Sequence, residues 1–166
     1  MAQLRLAALT LLATACAPAA AGQPSAPPTT ASGLTAPVGW QVLPELAKAV
    51  AGAAKADGIV VEGSEAWGEP ARGCYAAWIA LRGSDANVLI VEDALAGLAA
   101  EKFAMTNVIK PTSDGVLAFG FERAPYRGRV RARLDGGHLA ALACFANERE
   151  PASCELPCTA LLGSAS

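Results

Sequence analysis

Leu43, Leu46, Ala47, Val50 and Ala54 recur at three- and four-residue steps, with Lys48 and Lys55 elsewhere on the wheel. That spacing predicts an amphipathic helix with Pro44 in its first turn and Gly58 as its stop. Ile59 to Glu62 reads as a short strand, followed by a loop rich in Gly, Glu and Pro through Gly73. Cys74 to Leu81 reads as a buried strand closed by Arg82-Gly83. Ser84 suits an N-cap, and Val88, Val91, Leu95 and Leu98 mark the apolar face of a second helix ending near Lys102. A strand over Val88 to Glu92 is the competing reading of that stretch.

The last third has the clearest pattern. Gly115 to Arg123, Tyr126 to Leu134 and Leu139 to Ala146 are strand-like runs separated by Ala124-Pro125 and by Asp135-Gly136-Gly137-His138. With two-residue turns, Leu117, Phe119 and Phe121 share a face with Val130, Ala132 and Leu134, and with Leu139, Ala141, Ala143 and Phe145. Pro125 is poorly placed in a type I turn, so a longer loop or a cis bond is expected there. The whole predicts one α+β domain over 40–163. It has a mainly antiparallel sheet of five or six strands, two helices packed on one face, and a disulfide-stapled C-terminal turn or short helix.

Upstream of Trp40 the pattern changes. Arg5 precedes an apolar run from Leu6 to Ala15, interrupted only by Thr10 and Thr14. Ten helical residues reach about 15 Å, half of a bilayer core, which fits the hydrophobic part of a signal peptide (1–15) rather than a span. Leu12-Ala13-Thr14-Ala15-Cys16 resembles the lipobox of bacterial lipoproteins, with Ala13 where such motifs more often have Leu. The resemblance implies a diacylated (palmitate-type) Cys16 as the mature N-terminus. Ala17 after the cysteine implies, by the same analogy, the periplasmic side of the outer membrane. The alternative is an ordinary secretory signal cut after Ala19, Ala20 or Ala21, giving a secreted or periplasmic protein. Residues 17–39 are nearly all Ala, Pro, Ser, Thr and Gly, so 16–39 is expected to be a disordered tether.

Composition adds less. Hydrophobic residues are 53% of the 166, but much of that is alanine and aromatics are 5%, so few large anchors must organise the core. A formal charge of −2 argues neither for a general nucleic-acid binder nor for a highly acidic partner surface, and no nucleic-acid partner is expected. Of five cysteines, Cys16 leaves the other four, Cys74, Cys144, Cys154 and Cys158, as an even set suited to two disulfides in an oxidising compartment. Cys154 and Cys158 are awkward partners on one helix, so Cys144 is expected to take one and Cys74 the other. A Cys3His zinc site with His138 is the weaker reading, since the compact paired-cysteine spacing is missing; no metal or cofactor is expected.

The candidate chemistry lies on the second run of the meander. Arg127, Arg129, Arg131 and Arg133 alternate with Gly128, Val130, Ala132 and Leu134, so four guanidinium groups line one face at about 7 Å steps. Their expected neighbours are Ala118, Gly120, Ala140 and, beside Arg127, Glu122. Such a stripe suits carboxylates or phosphates of an anionic envelope polymer, a lipid headgroup or an acidic protein partner; the plain alternative is a solvated sheet face. Trp67, in the Gly/Glu/Pro loop, is the candidate exposed aromatic contact, and Trp78 a core residue. His138, after a Gly-Gly turn, reads as exposed and inert. No nucleophile, histidine and acid set can be assembled, so no catalytic residues are assigned. The leading expectation is a non-enzymatic, membrane-tethered binding or assembly module. The competing one is a small envelope hydrolase using Glu62, Glu65 and Glu69, with Glu148, Glu150 and Glu155 a second acid cluster.

Overall fold

The computed structural model describes residues 31–82, 95–111, 115–147 and 151–165. The signal segment, Cys16, the Ser84 cap and the Val88 to Glu92 alternative lie outside them. The elements in chain order are β1 (Gln41–Val42), α1 (Pro44–Ala56), β2 (Val60–Glu69), a 3-10 turn (Pro70–Arg72) and β3 (Cys74–Arg82). Helical residues 95–100 follow as α2. Then come β4 (Ala104–Ile109), β5 (Val116–Arg123), β6 (Tyr126–Asp135), β7 (His138–Asn147) and α3 (Pro151–Ser164).

Local chemistry sets these boundaries. Pro44 occupies the first turn of α1, Glu45 sits at its positive end and Lys55 in its last turn, each matched to the helix dipole. Gly58 follows at φ 78°. The expected β5–β6–β7 meander forms in the expected register: Ala118 faces Arg131, Gly120 faces Arg129, Glu122 faces Arg127, and Arg133 faces Ala140. The Ala124–Pro125 bond is cis, which seats the proline at the second central position of a two-residue turn.

The architecture is α+β, but the sheet has seven strands rather than five or six, in the order β1-β2-β3-β7-β6-β5-β4, with every pairing antiparallel. The extra strands are the two edges. β1 is two residues long and β4 is largely exposed on its whole length, so neither carries the alternation that marks a half-buried strand. β2 also runs through the stretch expected to be a loop. Gly68 sits inside it because an added Cβ would come within 2.5 Å of the Cys74 carbonyl and 2.9 Å of Leu43.

Side chains alternate across the sheet and build two different faces. On the back, α1 covers Ala66 and Ala77, with Ala47, Leu43, Leu46 and Val50 packed there. Beside it, Leu95 and Leu98 of α2 cover Leu117, Phe119, Val130 and Ala132. The first expected helix and the described end of the second thus lie on one face of the sheet. On the front, Trp67, Ala76, Leu142, Cys144 and Ala146 are buried under Cys154, Cys158 and Leu161 of α3. Two disulfides, Cys74–Cys154 and Cys144–Cys158, join that helix to the sheet. The cysteines of α3 are four apart and therefore on one helix face.

Residues upstream of Trp40 also pack. Glu65 accepts hydrogen bonds from the Ala31 amide at 2.5 Å and from the Ser32 hydroxyl. Leu34 is 7% exposed within the front core. The described part of the segment expected to be tether is a strap across the front face. One leucine in a Ser/Gly/Thr stretch carries too little apolar pattern to reveal this.

Candidate anion-binding groove

β6 presents Arg127, Arg129, Arg131 and Arg133 on the front face because its pleat alternates them with Gly128, Val130, Ala132 and Leu134, which face the back. The stripe is not an open sheet surface. α3, pinned through Cys154 and Cys158, passes over its middle. Glu155, one residue beyond the first of those cysteines, lies 2.8 Å from the Arg129 guanidinium, which also donates to the Thr159 hydroxyl at 2.9 Å. Arg127, Arg131 and Arg133 make no ion pair among the described residues.

Between α3 and the edge strand β4 lies a groove of about 480 Å3. Its floor is Ala118 and Gly120 of β5, and Arg127, Arg129 and Arg131 line one side. Glu155 and Leu162 of α3 form one rim, Thr106 and Asn107 of β4 the other. Gly120 is required here: a Cβ would come within 2.6 Å of the Thr106 hydroxyl, which packs directly over it. With Thr106 over Gly120 and only a methyl group at Ala118, the arginines stand above the floor, so an anion entering the groove meets planar bidentate donors rather than a flat charged surface.

The remaining candidates separate from this site. Trp67 is not an exposed contact; at 2% exposure it is a centre of the front core. Its loop assignment rested on Gly and Glu content, whereas β2 places Glu65, Trp67 and Glu69 on the front face and leaves the tryptophan beneath α3. Trp78 is half-buried at the margin of the same core. The three glutamates of β2 are also split. Glu65 holds the strap, Glu69 is 3.3 Å from Arg72, and Glu62 is 2.8 Å from His138 Nδ1 and accepts from Arg82 Nε at 2.7 Å. Glu65 and Glu69 are four residues apart on one strand, about 13 Å, beyond the reach of a paired-carboxylate mechanism. The hydrogen bond from His138, with the Arg82 guanidinium beside it, holds the Glu62 carboxyl below its ordinary range, against a smaller opposing effect of desolvation. His138 is thus exposed but engaged. Glu148 and Glu150 lie outside the described residues. No metal-holding group of three His, Cys, Asp or Glu occurs among the described residues, and the four domain cysteines are spent in disulfides.

Comparison with protein-family models, with curated proteins and with solved structures finds no match.

Sequence reasoning missed Glu155 and Thr159 as parts of the site. Their signal was present. On a helix whose Cys154 and Cys158 face the sheet, the residues immediately following each cysteine flank that face, where Arg129 waits.

Proposed function

We propose that this chain is an exported envelope protein, anchored through a lipid on Cys16 to the periplasmic side of the outer membrane, and that it acts as a non-enzymatic binding module. Its ligand is anionic and is received in the groove between α3 and β4. The observation that carries the reading is the pair of un-neutralised guanidinium groups of Arg127, exposed, and Arg131, half-buried, on the wall of a concave surface floored by Ala118 and Gly120. Glu155 on Arg129 supports it as a built-in example of how a carboxylate is held there. The disulfides support the export assignment, because such bonds persist in oxidising compartments. Among the described residues no helix is long and apolar enough to cross a membrane.

Two measurements test this. Intact mass of the protein from membranes should begin at Cys16 with added acyl chains. An unlipidated mass beginning downstream would remove the anchor. A photo-crosslinker at Glu122, inside the groove, should capture a defined partner in living cells, and Arg127→Glu with Arg131→Glu should abolish capture while leaving the thermal transition in place. Capture that survives the double reversal would reject the groove as the binding site.

A further inference from the structure

The way α3 crosses the arginine stripe specifies more than a preference for anions. Arg127 and Arg131 flank Arg129 on the same strand face, and Arg129 is already neutralised by Glu155. Within the groove the free cations are therefore separated by four strand residues, about 13 Å, rather than by the about 7 Å step of the stripe itself. An extended peptide lying along β6 repeats its own same-face side chains at the same steps. Resting on the proposed groove reading, we infer that the partner is an extended acidic peptide segment whose two key carboxylates are four residues apart, spanning Arg127 and Arg131 with the Arg129–Glu155 pair between them.

The surroundings fit this ligand. Ala118 is the small residue that lets a main chain lie close to the sheet, while the Thr106 side chain, which covers Gly120, and Asn107 on the β4 rim offer side-chain hydrogen-bonding groups to it. Glu122 stands opposite Arg127 and lines the groove, so it opposes the ligand charge at that end. Glu155 occupies the intermediate position as the ligand's own middle carboxylate would. A peptide with acids two residues apart can engage one free arginine and meets Glu155 with the other acid, so like charge disfavours it.

The experiment measures the affinity of the full chain for three blocked probe peptides, Glu-Ser-Glu, Glu-Ser-Ser-Ser-Glu and the seven-residue analogue with five central serines. The four-residue spacing is expected to bind about tenfold tighter than the two-residue spacing, from the additional charge-assisted contact. Glu155→Gln, at an exposed position, should raise affinity for Glu-Ser-Glu by freeing Arg129, and Glu122→Gln should tighten all three. Equal binding of all spacings, or no change of preference with Glu155→Gln, would overturn the peptide inference. Those results with Arg127- and Arg131-dependent binding of polyphosphate would leave an anion groove standing without its peptide ligand. Loss of no affinity for any probe on Arg127→Gln with Arg131→Gln would overturn the groove reading as well.

Discussion

The two faces of the sheet hold their helices by different means. On the back, apolar packing against Phe119, Leu117, Ala66 and Ala77 holds the described parts of α1 and α2, with a hydrogen bond from the Leu43 amide to the Ala66 carbonyl at the start of α1. On the front, α3 has a buried strip of Cys154, Cys158 and Leu161, but Leu156 is 83% exposed and Pro157 lies inside the helix. Such a helix has little apolar stripe of its own, and two covalent bonds fix it where packing would not. The difference is functional in consequence: a helix placed by covalent bonds can cross a row of arginines, neutralise one and leave its neighbours exposed beside a groove.

The comparison breaks most visibly at the disulfides. In the chain-entropy picture, the Cys74–Cys154 bond, which spans 80 residues, contributes about 4.5 kcal/mol, and the Cys144–Cys158 bond, which spans 14, about 3 kcal/mol. Paired Cys→Ser variants should show that order in denaturant midpoints, with Arg129 released from Glu155 in both. Equal losses would mean that native packing, not loop closure, dominates the front face.

Next in size is the contrast between the tryptophans. Trp67→Ala removes the largest fully buried side chain of the front core and should cost about 3–5 kcal/mol. Trp78→Ala, at the margin, should cost less than half of that. Similar costs in chemical denaturation would place the core boundary elsewhere.

The back face was largely legible in the sequence, and the front was not. Alternation with a two-residue turn assigns Phe119, Val130 and Ala143 to one side wherever the strands pair, and helix periodicity at Leu43 to Ala54 finds its cover. β4 escaped because an edge strand exposed on both faces has no period to display. Trp67 was misplaced because Gly63 and Gly68 look like loop punctuation when the close approach that demands Gly68 is unseen. The arginine stripe was legible as a row. Its division by Glu155 was not, because that contact joins residues 26 positions apart through a helix whose placement depends on the disulfides.

A smaller effect sharpens the edge of the front face at Glu62. Its carboxyl is held below the ordinary range by His138 and then Arg82, so its stabilisation is complete above the unfolded carboxylate pKa. That contribution is lost as pH falls through the lowered folded value. The protein should therefore exceed Glu62→Gln in stability near neutrality, and the two should converge at acid pH. Parallel curves in pH-dependent denaturation would mean that the His138 contact contributes nothing.

The central claim is that α3 divides the arginine stripe, leaving Arg127 and Arg131 to bind while Arg129 is internally satisfied. The most direct test is the salt dependence of polyglutamate binding by the full chain and by three variants. Arg127→Gln and Arg131→Gln should each weaken binding and lower the salt slope, whereas Arg129→Gln combined with Glu155→Gln should leave both within about twofold of the parent. A loss at Arg129 as large as at its neighbours would contradict the account and restore a continuous, undivided stripe.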